Sequence, residues 1–332
     1  MKKLVIVCLL AWVCKTVSAQ QHEYNIVKTF HIQSAGGWDY IAVHGDKLYV
    51  SHGTQVNILD KNSGDSLGVI SGTTGVHGIT FDDAIDKGFT SNGRLNNVFV
   101  FDMATNKILD SIKTGTNPDA IMYEPFTKTI ITCNGKSNDL TVIDPVQKKV
   151  IATIAVTGKP ETAASNGKGK LFVNIEDKNE IALVDLQTMK MINTWSLDGG
   201  EEPTGLCYDA ATKRLFAGCD KMLVVLDATS GKVIDKLSIG EGCDGVAFDN
   251  TTKTIFTSNG EDGTMTVIKE KSANEFEVIE NVSTKKSART ITVDESSHTL
   301  YLPAAELLPA VAGQRPQMKP GSFEVLVVKR ND

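Results

Sequence analysis

The sequence of 332 residues predicts an all-β fold, a seven-bladed β-propeller whose N-terminal strand closes the last blade. A fixed spacing is the first observation behind this prediction. Short apolar runs end at residues 60, 102, 144, 185, 227 and 269, which are 42, 42, 41, 42 and 42 residues apart. Four strand-like runs within each period are the second observation. Four antiparallel strands in a repeat of this length are typical of a propeller blade.

The third repeat illustrates the four runs, at residues 119–123, 129–133, 140–144 and 149–156. Val, Ile, Thr and aromatic residues alternate with polar ones in these runs, which is typical of half-buried strands. Small residues at the start of the innermost run are the third observation that supports a propeller. They are expected where the inner strands converge on a narrow axis. The small residues share one repeat position and are Gly78, Ala120, Gly205 and Gly245.

The openings of the innermost run place blade starts near residues 38, 76, 118, 160, 203, 243 and 288. The last blade reaches its third strand at residues 323–329 and then the chain ends, whereas residues 26–32 match the fourth strands of the other blades. We therefore expect the N-terminal strand to complete blade seven. This closure would leave no open sheet edge. We therefore expect residues 20–332 to form a single domain.

The first 19 residues have the pattern of a signal peptide: a basic start, ten apolar residues at 4–13, and small residues before a cleavage point after Ala19. Ten residues are too few to span a bilayer, and no other segment qualifies as a transmembrane helix. We expect the chain to be exported to the periplasm, the cell surface or the medium. We also expect it to be a monomer. A net charge of −6 without long basic runs argues against nucleic-acid partners.

Four cysteines remain after the leader, too few for a fold built on disulfides, and no C-x-x-C pair occurs. Cys219 and Cys243 fall on the same face of adjacent blades. They are either free buried thiols or a disulfide, and the sequence leaves both open.

Four tetrapeptides end the predicted second strands: residues 49–52 (Tyr-Val-Ser-His), 89–92 (Phe-Thr-Ser-Asn), 131–134 (Ile-Thr-Cys-Asn) and 256–259 (Phe-Thr-Ser-Asn). They resemble the Tyr-Val-Thr-Asn repeat (YVTN) of the YncE-like, surface-layer-like seven-bladed propellers within the WD40/YVTN repeat-like superfamily. Blades four and five depart from the motif at residues 173–175 and 217–219. The resemblance implies an exported propeller, and this family has no shared catalytic motif.

Two rings of residues are predicted to crowd one mouth of the central channel. The starts of the first strands form the inner ring, which is Asp39, His77, Asp119, Glu161, Thr204, Asp244 and Arg289. The ends of the second strands form the second ring, which is His52, Asn92, Asn134, Ile175, Cys219, Asn259 and Ala304. The charged and amide-bearing members and the two histidines are the candidate binding residues.

The carboxylates Asp39, Asp119, Glu161 and Asp244 are candidate ligands for a divalent cation, either calcium or zinc. Propellers of lactonase type use such ligands, but that is an analogy of fold. The alternative is structural: Asp caps turns, Asn-Gly pairs favour tight turns, and Arg289 neutralises Asp39 and Asp244. No cofactor is otherwise indicated.

Blade seven carries a Pro-rich insertion at residues 303–322, between its second and third strands. Because this connection opens on the face of both rings, we expect the insertion to fold over the mouth, with Glu306 and Arg315 as its contacts.

The leading hypothesis is an exported, non-enzymatic binding or scaffold propeller that presents the mouth to a protein, glycan or small ligand. The alternative is a metal-dependent, lactonase-like hydrolase with the four carboxylates as ligands and His77 as acid–base. A redox-accessory role is weaker, because no C-x-x-C-H site for covalent haem occurs.

Overall fold

Seven sheets of four antiparallel strands make up the protein in the computed structural model, which describes residues 23–309 and 317–331. This arrangement confirms the predicted seven-bladed propeller. The expected signal peptide at residues 1–19 lies outside the described residues. Within the described part of the chain, no helix is long and apolar enough to cross a bilayer.

The strands take the same order in every blade, from the channel outwards. The first strands are β2 (Trp38–His44), β6 (Val76–Asp82), β10 (Pro118–Glu124), β14 (Pro160–Ser165), β18 (Leu206–Asp209), β22 (Cys243–Asp249) and β26 (Thr292–Asp294). The second strands are β3 (Lys47–His52), β7 (Lys87–Asn92), β11 (Thr129–Asn134), β15 (Lys170–Ile175), β19 (Arg214–Cys219), β23 (Thr254–Asn259) and β27 (Thr299–Ala304).

The two outer positions complete each blade. The third strands are β4 (Gln55–Asp60), β8 (Asn97–Asp102), β12 (Asp139–Asp144), β16 (Glu180–Asp185), β20 (Met222–Asp227), β24 (Thr264–Ser272) and β28 (Glu324–Arg330). The fourth strands are β5 (Ser66–Ser71), β9 (Ile108–Lys113), β13 (Lys149–Ala155), β17 (Lys190–Ser196), β21 (Val233–Ser238), β25 (Glu275–Ser283) and β1 (Tyr24–His31). Two single-turn 3-10 helices, Asp83–Ile85 and Glu176–Lys178, follow β6 and β15.

The first strands of blades five and seven begin at Leu206 and Thr292, later than the repeat positions 203 and 288. In blade five the chain before β18 still lies beside the second strand, because Thr204 donates to Gly218 and Gly218 donates to Gly205, each at 2.9 Å. The blade therefore begins where the repeat places it, with an irregular ladder.

The N-terminal strand closes the ring. β1 pairs antiparallel with β28, from Tyr24 opposite Arg330 to His31 opposite Glu324, and the sheet runs in the order β1-β28-β27-β26. First strands of neighbouring blades pack against one another around the channel, including β26 against β2. The last blade is thus built from both ends of the chain, as the sequence predicted.

The hydrophobic core is divided into seven clusters, one at each interface between neighbouring blades. At the closure, Phe30 of β1 and Val325 of β28 pack against Ile41 and Val50 of blade one. Apolar side chains on both faces of each sheet are buried in this way, so each blade depends on two neighbours for its core.

The aspartates that set the period in the sequence form turns after the third strands. Asp144 Oδ1 accepts hydrogen bonds from the backbone N–H groups of Val146 and Gln147, at 2.9 and 2.8 Å. Equivalent bonds are made by Asp60, Asp102, Asp185 and Asp227. A carboxylate that accepts from the following N–H groups starts a tight turn, so this repeat is structural.

Candidate binding site at the channel mouth

The inner ring is positioned by β-bulges at the start of the first strands. In five blades the register shifts directly after the first residue of the strand, as between Val76 and Ile79 or between Pro118 and Ile121. A bulge breaks the regular ladder and re-aims the side chains of the extra residues. The ring residues, such as His77 and Asp119, lie within these bulges.

Asp39, His77 and Asp119 form one cluster. His77 Nδ1 lies 2.5 Å from Asp39 Oδ2 and 3.5 Å from Asp119 Oδ1. Burial alone would raise the pKa of Asp39, but Arg289 and His77 outweigh it and the pKa is lowered. Burial would lower the pKa of His77, but the bond to Asp39 and the carboxylate charges raise it. Burial and the charge of Asp39 raise the pKa of Asp119 to about 7.

Arg289 joins the first cluster to Asp244. Its Nη1 forms an ion pair with Asp244, while Nη2 lies 3.3 Å from Asp39 Oδ1 and donates to the carbonyl oxygen of Trp38 at 2.6 Å. Burial raises the pKa of Asp244, and Arg289 counteracts part of this rise. Arg289 therefore compensates two of the ring carboxylates.

Glu161 belongs to a separate cluster with Glu176 and Lys159. Lys159 Nζ lies 2.6 Å from Glu161 Oε1 and also pairs with Glu176. Burial, the charge of Asp119 and a hydrogen bond to Glu176 raise the pKa of Glu161 to about 9. At neutral pH, Glu161 is therefore the protonated partner of Glu176.

The four ring carboxylates consequently do not meet at one point. Asp39 and Asp119 share His77, whereas Glu161 and Asp244 are each held by a basic side chain. The expected four-carboxylate cation cage is divided into two groups, because Arg289 links Asp244 to Asp39, whereas Lys159 and Glu176 hold Glu161 apart.

The asparagines of the second ring are fully buried and do not line the mouth. Each amide nitrogen donates to a side chain of the third strand in its own blade. The bonds are Asn92 to Asn97 at 3.0 Å, Asn134 to Asp139 at 2.6 Å and Asn259 to Thr264 at 3.1 Å. These three candidate binding residues brace the hairpin between the second and third strands.

His52 is also fully buried. Its Nδ1 bonds to Ser34 Oγ at 2.6 Å, its Nε2 to the carbonyl oxygen of Gly36 at 2.7 Å, and its ring stacks on Phe323. Burial lowers the pKa of His52 to about 4, so the ring is neutral. It anchors the chain between β1 and β2, and it offers no free nitrogen to a ligand.

Cys219 and Cys243 are free thiols in the structure, together with Cys133 and Cys207. Glycines make room for them: a Cβ at Gly200 would lie 2.8 Å from Cys219 Sγ, and one at Gly218 would lie 2.8 Å from Cys243 Sγ. Burial raises the pKa of Cys219 to about 12. Of the two alternatives left open by the sequence, the free buried thiols are the ones formed.

Tyr40 is a mouth residue that the sequence prediction missed. It occupies the repeat position that is Gly78, Ala120 or Gly245 in other blades. Burial and then the charges of Asp119, Glu161, Asp39 and Asp244 raise its pKa well above the usual value. A large side chain in a column of small ones is the signal that could have identified it.

A cavity of about 700 Å³ opens beside the ring on the side of blades four to seven. Its lining is Trp38, Glu176, Glu202, Thr204, Asp220, Gly242, Cys243, Asp244, Gly260, Glu261, Lys286, Ser287, Arg289 and Leu307. Leu307 comes from the insertion, so that segment does border the mouth. Glu306 instead pairs with Lys319 inside the insertion at 2.5 Å, and Arg315 lies outside the described residues.

Comparisons with known proteins agree on the fold. No family model and no curated protein matches the sequence. A chain of hydrazine synthase from Kuenenia stuttgartiensis is similar in structure, with a TM-score of 0.73, 14% identity, and coverage of 82% of this chain and 94% of that one. A chain of a mitotic checkpoint complex aligns with a TM-score of 0.75 at 11% identity, over 100% of this chain and 99% of that one. At such identities the likeness shows the fold alone, and the fold of this chain is that of the β-propellers.

Proposed function

We propose that this propeller is a binding module whose channel mouth receives a basic side chain of a partner protein. The observation that carries this proposal is the composition of the 700 Å³ cavity. Its five carboxyl groups face two basic residues, Lys286 and Arg289. The carboxyl groups are those of Glu176, Glu202, Asp220, Asp244 and Glu261. A cleft lined by one sign of charge concentrates ligands of the opposite sign.

Part of this negative charge is available to a partner. Glu202 and Glu261 are exposed, and within the described part of the chain neither forms an ion pair. Arg289, by contrast, is engaged by Asp39 and Asp244. An incoming cationic side chain therefore meets carboxylates whose charge is not already compensated. This electrostatic complementarity favours binding of a basic partner.

The apolar part of the wall favours a long basic side chain over a bare ion or a neutral glycan. Trp38 is partly buried at the rim, and Leu307 is 40% exposed. The alkyl stem of Lys or Arg packs along such surfaces while its charged end reaches carboxylates, and an indole ring also attracts cations.

Titration calorimetry with a capped oligolysine peptide tests the proposal. We expect binding that weakens with salt and falls at least fivefold in Glu202→Gln/Glu261→Gln. Glu275→Gln/Glu277→Gln removes the same charge from exposed positions on β25 and should bind as the unchanged protein does. Equal affinities in all three proteins, or equal binding of an oligoglutamate peptide, would contradict the proposal.

We further propose that the chain is exported and belongs to the YVTN, surface-layer-like propellers. The leader pattern of residues 1–19 and the motif copies at residues 89–92, 131–134 and 256–259 support this. N-terminal sequencing after expression of the full gene should yield a chain that begins at Gln20. A chain that retains residues 1–19 would refute export by cleavage at Ala19.

A further inference from the structure

Three ligand-type atoms meet where blades one, two and three border the channel. One such atom from each of Asp39, His77 and Asp119 lies within 4.8 Å of the other two. His77 Nδ1 is 3.5 Å from Asp119 Oδ1 and 2.5 Å from Asp39 Oδ2. Zinc ligands about 2.0–2.2 Å from a tetrahedral metal are roughly 3.4 Å apart. The distance from His77 Nδ1 to Asp119 Oδ1 fits this ligand separation. The distance from His77 Nδ1 to Asp39 Oδ2 is too short, so Asp39 has to move away by less than about 1 Å.

Among the residues that the structure describes, no hydrogen-bond donor reaches the Asp119 carboxylate. Its side chain is 15% exposed, and among the described residues its nearest charged partner is His77 at 3.5 Å, beyond ordinary bonding distance. A carboxylate with so little exposure normally has partners at hydrogen-bond distance, and the ion pair with His77 is longer than that. A cation between His77 and Asp119 would supply the missing partner.

The balance of charges around this part of the channel also favours a bound cation. The carboxyl groups are Asp39, Asp119, Glu161, Glu176 and Asp244, and the basic groups are His77, Lys159 and Arg289. Because Glu161 holds its proton, four carboxylates face three basic groups across these contacts when His77 is protonated. When His77 loses its proton to coordinate a metal, two negative charges are in excess, and a divalent cation neutralises them.

Neighbouring residues hold the three side chains in place. Arg289 lies 3.3 Å from Asp39 Oδ1, which leaves Oδ2 to face His77. The imidazole lies against Gly93, where a Cβ would come within 2.7 Å of His77 Nε2. Outer residues that orient ligands in this way are a regular part of metal sites.

We propose that Asp39, His77 and Asp119 bind a divalent transition-metal cation, with Zn²⁺ as the best match. One imidazole nitrogen with two carboxylate oxygens is a borderline ligand set, which suits zinc better than calcium. On binding, Nδ1 coordinates the cation and its proton passes to solvent. This site is separate from the carboxylates Glu202 and Glu261, so either proposal can fail without the other.

Competition between the protein and a chromophoric zinc chelator tests the site. The unchanged protein should take up one equivalent of Zn²⁺, and His77→Ala should weaken this binding at least 100-fold. Gly93→Ala should weaken it at least tenfold, because the new methyl group displaces the ring while all three ligands remain. Gly135→Ala is the matched control in the next blade, since its Cβ would meet nothing closer than 3.6 Å.

A second control separates this site from adventitious histidine binding. His298 Nδ1 pairs with Asp249 Oδ2 at 2.6 Å without belonging to the three-residue cluster, so His298→Ala should retain the equivalent of Zn²⁺. Circular dichroism melting confirms that each variant is folded. Less than one equivalent in the unchanged protein, retained affinity in folded His77→Ala, or tighter binding of Ca²⁺ than of Zn²⁺ would overturn the proposal.

Discussion

Carboxyl groups at equivalent positions of the repeat have different protonation behaviour here. The pKa of Asp39 is lowered, whereas the pKa of Asp119 is raised to about 7 and that of Glu161 to about 9. Loss of solvent raises the pKa of all three groups, so the difference comes from their neighbours. Arg289 and His77 reach Asp39, while Glu176 shares a proton with Glu161.

The Glu161→Gln substitution should stabilise the protein increasingly as pH rises. The folded state keeps Glu161 protonated up to about pH 9, while the unfolded chain ionises near its ordinary pKa of 4.5. The free energy of unfolding therefore falls across this window, and Gln removes that loss. We expect a gain at least about 1 kcal/mol larger at pH 8 than at pH 5.

Urea denaturation at the two pH values measures this gain. Glu202→Gln is the matched control, because it removes an exposed carboxyl group at the same mouth. An identical gain from Glu161→Gln at pH 5 and pH 8 would show that Glu161 does not hold its proton in the folded state.

Sequence reasoning identified the ring residues and the pairing of Arg289 with Asp39 and Asp244, but not the partners of the other ring residues. The signal for the buried asparagines was present, since a polar residue follows each one five positions later: Asn97, Asp139 and Thr264. Tyr40 could likewise have been identified, because it is a large residue at a repeat position where other blades have small residues. The division of the carboxylate ring was not predictable, because Glu176 reaches it from a 3-10 helix after the second strand of blade four.

At the scale of elements, the fourth strand of blade seven closes the ring. β1 is the only element that joins the two ends of the described chain in one sheet. Its inward residues Tyr24 and Phe30 are 4% and 5% exposed, and Ile32 directly after it is 5% exposed. The match between residues 26–32 and the fourth strands of other blades was enough to predict this closure.

Deletion of residues 24–32 should destabilise the protein by at least about 5 kcal/mol, since it removes three buried side chains worth about 2–5 kcal/mol each and opens a sheet edge. Thermal melting and the soluble fraction measure the effect. Phe30→Ala should show part of the loss, while Val27→Ser, at a position that is 48% exposed, should show almost none. An unchanged melting temperature of the truncated protein would refute the closure.

The insertion of blade seven is tied to the blade at its base. Ala305 is fully buried and exchanges hydrogen bonds with Ser287 Oγ, and the Lys319 N–H donates to the Glu306 carbonyl at 2.8 Å. Residues 310–316 lie outside the described part of the chain. The sequence located this segment by its excess length but assigned its contact to Glu306, where Leu307 borders the cavity instead.

Replacement of residues 307–318 by a short Gly-Ser turn should leave the melting temperature nearly unchanged, because a surface loop contributes little closure entropy. It should weaken oligolysine binding at least twofold, because the apolar wall at Leu307 is lost. Leu307→Ser should reproduce this effect, whereas Leu308→Ser, equally exposed at 40% but absent from the cavity lining, should not. Unaltered affinity after the replacement would show that the insertion does not contribute to peptide binding.

At the scale of the molecule, the period of the repeat was sufficient to predict the fold. Seven interfaces share the core, and each repeats the same alternation of apolar residues. The same regularity explains why the site was harder to predict. A repeat specifies what the blades have in common, whereas a binding site depends on the residues in which they differ, such as Tyr40, Arg289 and Leu307.

The central claim is that the mouth is the binding face of this ring. Hydrogen–deuterium exchange with and without oligolysine peptide tests it most directly, since exchange reports on every segment at once. We predict slower exchange at residues 200–206, 241–244, 259–262 and 305–309, which border the cavity, and no change in the fourth strands. Protection confined to the outer strands, or an absence of protection under saturating peptide, would contradict the claim.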